Sequence, residues 1–300
     1  MELDKWQKEL QRLSLANYKV TDAAIFKAYK ETLGSIKDIL QVYVDNYAEL
    51  SFSKKLEAER LFKAASEIDI LLNTNFKTVG KSINTFLTEE ALFGYNGVFY
   101  ALEGRDMLTL TQFGIDTKFI NTIINQPVAG KRLSTRLYAH RDQLAKEMTN
   151  TIIRLTTQGK SYSYIARAVS NLTEASYKQA LRIARTEGAR VSTLATQKGY
   201  EDATKQGVNM RKRWVASLDK RTRHSHGMLD GVTIAIEDDF VSVLGGRGIG
   251  PGAMGVAGDD INCRCDTIAV VEGFEPELRQ VDNEITGYIT YNQWLKTQNL

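Results

Sequence analysis

Cysteine, histidine and proline are nearly missing from this chain, which has two, three and three of them in 300 residues. Two cysteines separated by one residue do not easily close an ordinary disulfide on each other. A disulfide-stapled scaffold is therefore excluded, and a reduced compartment or a metal role is expected. No apolar run approaches the ~20 residues that span a bilayer, and the opening MELDKWQKEL lacks the pattern of a signal peptide. What is present is ordinary for a soluble globular protein: 43% apolar and 25% charged residues, in a length that can hold two domains. The scarce residues are clustered. His224 and His226 lie in RTRHSHGMLDG, residues 221–231, and Cys263 and Cys265 lie in INCRC, residues 261–265.

The net charge of +3 conceals a strong segregation. Residues 1–130 carry 15 Lys and Arg against 17 Asp and Glu, residues 131–230 carry 20 against 8, and residues 231–300 carry 4 against 11. The basic middle suits a polyanion, because each phosphate neutralised releases counterions; pairing with the acidic C-terminal segment is the alternative. Arg182, Arg185, Arg190, Arg211, Lys212 and Arg213 are the candidate phosphate contacts. No base-reading motif or zinc-finger pattern accompanies them, so contact with double-stranded DNA is expected to be sequence-independent.

Periodicity predicts an α+β chain: a largely helical N-terminal half and a basic helical run, followed by a small antiparallel β-sheet module. Ile25, Tyr29, Leu33, Ile36 and Leu40 step at helical spacing, as do Leu61, Ala65, Ile68 and Leu72. Residues 1–130 form the helical region, interrupted near 93–104, where FGYNGVFYALEG carries the Asn-Gly signal of a short hairpin. The NQPVAG segment, 125–130, marks a turn or hinge. Residues 131–207 form the basic helical region. Its last part is expected as a short helix over 161–172 and a long one opened by Thr173, with Gly188 a weak point. In residues 208–273, MRKRWVAS, VTIAI and CDTIAVVEG alternate as strands do. Between the last two, residues 245–260 hold seven glycines. They lack the Gly-Lys-Ser/Thr of a P-loop and the strand–loop–helix setting of a dinucleotide fingerprint, so a flexible exposed loop is expected. Residues 274–300 form a tail.

VASLDKRTRHSHGMLDGV and DDINCRCDTIAVV together resemble the phage Mu F-like family of minor head, or head morphogenesis, proteins. The resemblance rests on Trp214, Asp219, Arg221, Thr222, His226, Leu229, Asp230 and Gly231, then on Asn262, Cys263, Arg264 and Cys265. The upstream ARTEGAR and the closing ITGYITYNQWLKTQ, where a short Tyr-x-x-Trp-Leu helix is expected, extend it over about residues 150 to 298. It implies a structural minor capsid protein of a tailed bacteriophage, inside the virion head and passing through the host cytoplasm during assembly. The implied partners are portal, capsid or scaffold proteins and packaged DNA, with possible ejection alongside the genome. Read as structural, Trp214 is core, Asp219 caps the turn after its strand, Asp230-Gly231 makes a hairpin turn, and Asn262 bonds backbone near the glycine loop.

In some family members, paired Cys and His residues occupy the corresponding landmarks of the two motifs. Aligned on them, Arg223 and His226 take the first pair and Asp260 and Cys263 the second. Arg223 is no ligand, which leaves His226, Cys263 and Cys265 as the candidate zinc set, with Asp260 or His224 as the fourth; a packed relic without metal is the other reading. An effector enzyme carried in the virion is the functional alternative. It would be thiol-dependent through Cys263 with Arg264 and His226, or similar to an ADP-ribosyltransferase through Arg185-Thr186-Glu187.

Overall fold

The computed structural model describes residues 3–47, 54–106, 110, 114–127, 132–158, 160–271, 278–281 and 284–287. Long helices dominate: α1 (Leu3–Tyr47), α2 (Lys54–Asp106), α4 (Leu133–Thr157) and α5 (Tyr162–Lys205), with the short α3 (Thr117–Asn125) between α2 and α4. The chain forms two compact units, one of residues 19–84 and 131–183, the other of residues 1–18, 85–130 and 184–300.

Among the described residues of the first unit, the regular elements are all helices. Its core follows the three- and four-residue steps of the sequence, with Ile25, Tyr29, Ile36 and Leu40 buried on α1 and Ile68, Leu72, Phe76, Val79 and Ile83 on α2. Leu144, Met148, Ile152 and Leu155 form the matching stripe of α4. Several of its polar groups bond one another. Ser176 Oγ lies 3.0 Å from the Tyr29 hydroxyl and 2.9 Å from His140 Nε2, and Asn75 donates to Thr32 Oγ1 at 3.0 Å. Thr173 does not open a helix: it sits inside α5 and donates to the Val169 carbonyl one turn back.

The hairpin expected at 93–104 is not formed; α2 runs straight through Asn96-Gly97. Gly94 in that stretch serves close helix approach instead of a turn, as does Gly199 on α5. A Cβ on Gly94 would come within 2.6 Å of the Ser192 carbonyl oxygen, and one on Gly199 within 2.9 Å of Val98. Gly188, expected as a weak point of α5, accommodates Phe86, whose ring edge lies 2.6 Å from where its Cβ would be. Tertiary packing has overridden local propensity at each of these positions.

The second unit carries the β module. Strand β1 (Met210–Val215) lies between β2 (Thr233–Ala235) and β5 (Asp266–Val271), antiparallel to both. Two short helices, α6 (His224–Leu229) and α7 (Ala257–Asp260), and a two-residue ladder of β3 (Phe240–Val241) with β4 (Arg247–Gly248) complete it. Trp214, Ala216, Leu229, Phe240 and Met254 form its core. One stripe of α5 serves as its platform, at the helical steps 186, 190, 193, 197 and 200. Thr186 Oγ1 accepts from Asn262 N, Thr193 Oγ1 donates to the Pro251 carbonyl at 2.7 Å, Gln197 Nε2 to the Ile236 carbonyl at 2.8 Å, and the Tyr200 hydroxyl to the Thr267 carbonyl at 3.1 Å. Gly252, with φ +76°, lies against the backbone of Ala189 and Arg190. The second half of α5 therefore belongs to the same compact unit as the β module.

The glycine-rich stretch is likewise not an exposed flexible loop. Gly246, Gly248, Gly250, Pro251, Gly252 and Met254 are buried. A methyl group on Gly248 would overlap the Ala253 carbonyl, and one on Gly250 would come within 2.9 Å of Thr193 Cγ2. These glycines allow backbone to pass close to backbone, and their use here is steric. After β5 come two further strands, β6 (Leu278–Val281) and β7 (Glu284–Gly287), paired antiparallel. The short helix expected around the Tyr-x-x-Trp-Leu sequence lies outside the described residues.

Candidate metal centre

The two motifs meet. Strand β1 ends at Val215, and the chain turns through Ser217 to Thr222 before entering α6. Asp219 Oδ1 accepts from Arg221 N at 2.8 Å and Thr222 Oγ1 donates to the Ser217 carbonyl, so the turn is closed by its own side chains. Asp219 also takes both Nη groups of Arg264, one at 2.8 Å to Oδ1 and the other to Oδ2. That fork holds its carboxyl at about 2, well below the usual range. Ser217 Oγ donates to the Arg264 carbonyl at 2.6 Å. Asp230 Oδ1 accepts from Ala216 N at 2.8 Å, and Gly231, at φ +80°, lets the chain turn back into β2.

On the inner side of this clasp, α6 turns Ser225 and His226 into the core and leaves His224 exposed. The His226 ring stands edge-on to Trp214, with centroids 5.5 Å apart. Asn262 adopts φ 54°, a left-handed conformation in which Asn is among the better tolerated residues. Cys263 and Cys265 then both face His226. Its Nδ1 lies 3.2 Å from Cys265 Sγ and 3.6 Å from Cys263 Sγ. Arg264, the residue between them, reaches Asp219 instead. The hydrogen bond with Cys263 and the proximity of His226 favour the thiolate of Cys265; donating that bond and being buried push the Cys263 thiol up.

Behind the imidazole stands Asp259, which sequence reasoning did not single out. Its Oδ1 is 3.5 Å from His226 Nε2 and accepts from Ser225 Oγ at 3.0 Å, and the side chain is fully buried. Arg223 donates to the Asp259 and Ile261 carbonyls and so fastens α7 in place. Asp260, proposed as a fourth ligand, instead accepts from Met254 N at 2.8 Å and holds the glycine segment. Burial pushes its carboxyl up. The pair Asp259-Asp260 is conspicuous in sequence, but which of the two faces the histidine depends on the one turn of α7 between them and INCRC.

The six proposed phosphate contacts divide by burial. Arg182, Arg185 and Arg211 are exposed and Arg213 is half-buried. Arg190 is buried in an ion pair with Glu187 at 3.0 Å, and Lys212 is fully buried, donating to Gln197 Oε1 at 3.0 Å and lying over the Phe240 ring. Neither can reach a phosphate. The alternation of β1 carries the signal for Lys212, which shares a face with Met210 and Trp214.

The family described as Phage Mu protein F like protein matches residues 143–268, which include the clasp, α5 and the platform contacts. The chain is 47% identical over 296 residues to a protein of Enterococcus faecalis (strain ATCC 700802 / V583) named NAD(+)--arginine ADP-ribosyltransferase EFV, covering 98% of this chain and 60% of that protein. It is 31% identical to minor head protein GP7 of Bacillus phage SPP1, covering 98% of this chain and 96% of that protein. An uncharacterized protein of Haemophilus influenzae is 27% identical over 136 residues, 45% of this chain and 27% of its own length. No solved structure matches the chain. With near end-to-end agreement to a minor head protein and the family's motif pair folded into one clasp, the chain belongs to the phage Mu F-like family of minor head proteins.

Proposed function

We propose that this chain is a structural minor capsid protein of a tailed phage, held in the head interior beside the portal and the packaged duplex, and able to leave with the genome. The observation that carries the reading is the agreement over 96% of the length of a phage minor head protein. The clasp supports it. Among the described residues, the one grouping of His and Cys side chains is turned inward, braced by Asp219–Arg264 outside and Asp259 inside. DNA contact is supported by the excess of positive charge over residues 131–230 and by the exposed Arg182, Arg185 and Arg211. Mixed-sequence duplex binding, followed by fluorescence anisotropy across salt concentrations, is the direct test. Arg182→Ala, Arg185→Ala and Arg211→Ala should each flatten the log–log salt slope by about one unit without creating sequence preference. Absence of salt-dependent binding at low ionic strength would remove DNA from the partners. Crosslinking of purified heads should recover the chain with the portal, and its absence from heads would remove the structural role.

The enzyme reading is favoured by one observation, the name of the Enterococcus protein. The chain spans 60% of that protein but 96% of the minor head protein, so the portion shared by all three is of minor-head length. Arg185-Thr186-Glu187 lies within α5, where Glu187 is fully buried against Arg190 and Thr186 receives Asn262 N. These contacts support a packing role for the stretch. Transfer of labelled ADP-ribose from NAD to an arginine acceptor by this chain would restore the enzyme reading.

A further inference from the structure

The clasp has the dimensions of a metal site. A zinc ion bound at about 2.0–2.1 Å to nitrogen and about 2.3 Å to sulfur, at tetrahedral angles, sets N···S edges of roughly 3.5 Å. The edges from His226 Nδ1 to Cys265 Sγ and Cys263 Sγ are 3.2 and 3.6 Å, and all three donor atoms lie within 4.8 Å of one another. The back of the ring is arranged to match. A carboxylate facing Nε2 favours the proton there, which leaves the Nδ1 lone pair pointing at the two sulfurs. Asp259 Oδ1 faces Nε2, and neither Nε2 nor Asp259 Oδ2 has a hydrogen-bond partner among the described residues. Two buried polar atoms left in this state are costly unless the imidazole is held for a purpose.

We propose that His226 Nδ1, Cys263 Sγ and Cys265 Sγ bind one zinc ion, with Asp259 as the positioning carboxylate behind the imidazole. Two thiolates and an imidazole select zinc over magnesium or calcium, whose preferred donors are oxygens. Both thiols give up their protons to solvent as the ion enters. The fourth position falls to water. His224 faces solvent, Asp260 is engaged by Met254 N, and Arg223 is a cation fastened to the α7 carbonyls. Cys265 is the more exposed of the two cysteines, so the fourth position has access from its side. The ion would join α6 to the approach to β5 across the whole glycine-rich segment.

The test uses the full chain, reduced and stripped of metal with a chelator, and titrated with Co2+ and then Zn2+. One equivalent of cobalt should bind with intense near-ultraviolet thiolate-to-cobalt charge transfer, and one equivalent of zinc should abolish that band. Zinc should also shield both thiols from alkylation. Cys265→Ser should lose about half the charge-transfer intensity, and Asp259→Asn should weaken zinc binding 10–100-fold while keeping the wild-type cobalt spectrum. Far-ultraviolet dichroism in chelator identifies any variant that fails to fold; the wild-type spectrum and thiol protection then decide alone. Thiols that titrate freely with zinc present, or cobalt bound without charge transfer, would overturn the site. Unchanged zinc affinity in a folded Asp259→Asn protein would overturn the positioning role.

Discussion

The helical unit of residues 19–84 and 131–183 and the β module on its α5 platform are stabilised in different ways. In the former, large apolar side chains repeat at helical spacing, and buried polar groups are few and neutral, such as Tyr29, Asn75, Thr173 and Ser176. In the latter, buried ionisable groups are common: Glu187, Arg190, Lys212, His226, Asp259 and Asp260 all lie in the interior. Its backbone also passes too close to itself for side chains at several glycines. Apolar stripes tolerate substitution when volume is kept, whereas a buried charge or a missing Cβ tolerates almost none. The family match, residues 143–268, takes in this intolerant region and only the end of the helical unit.

The widest separation between the two should come from ion pairs. Arg190→Met removes the ion-pair partner of the buried Glu187 and should cost about 3–5 kcal/mol in urea denaturation. Lys178→Met, which breaks the exposed Glu174–Lys178 pair of the helical unit, should leave the denaturation midpoint almost unchanged. The double variant Glu187→Leu/Arg190→Met removes both charges and should recover most of the first loss. Equal losses in the two single variants would erase the proposed contrast.

Glycine should separate them next. Gly248→Ala forces a methyl group onto the Ala253 carbonyl, and Gly246→Ala puts one 2.5 Å from Asp259 Oδ2. Each should destabilise by about 1–3 kcal/mol or more. Gly34, exposed in α1, has nothing within 4 Å of its would-be Cβ. Gly34→Ala should therefore stabilise, by roughly 0.5–1 kcal/mol. A stable Gly248→Ala protein would mean that the loop can relax, and would return it to the flexible connector its composition suggests.

The two regions were also unequally legible in sequence. Periodicity located the apolar stripes of α1 and α2 because burial there follows one simple rule, and the alternation of 210–217 and 265–273 located the central strands. His226, Cys263 and Cys265 were identified as a group because rare residues were concentrated in two short motifs, and the family resemblance added Trp214 and Leu229. What composition misread was glycine and charge. Gly94 and Gly248 have the same turn propensity as any glycine, and only the neighbouring backbone shows that they serve close packing. Lys212 looked like part of a basic cluster because Arg211 and Arg213 flank it, although the same alternation that makes β1 a strand turns Lys212 inward. Asp259 was missed in favour of Asp260 because the orientation of a one-turn helix is set by its contacts and leaves no periodic trace.

Lys212 gives the smallest and most specific effect. Its ammonium is fully buried, and desolvation lowers its pKa to about 8 despite the nearby acidic residues Asp239 and Glu201. The unfolded chain therefore binds more protons than the folded one between about pH 8 and the usual lysine value of about 10.5. In that window stability contributed by this residue rises with pH, and it falls away as pH drops through about 8. Lys212→Met removes the buried charge but leaves Gln197 Oε1 without its donor, a loss of about 1–3 kcal/mol that offsets much of the gain. At pH 7 the variant should lie within about 1 kcal/mol of the original chain or above it. By pH 10.5 the original chain should have gained on it, because its folded lysine is then neutral and carries no buried charge, while the variant still lacks the Gln197 bond. Measuring only the difference between the two proteins at each pH cancels every other titrating group. A difference that stays constant from pH 7 to 10.5 would mean that Lys212 keeps its charge without cost in the fold, and that the module's interior is far better hydrated than its packing implies.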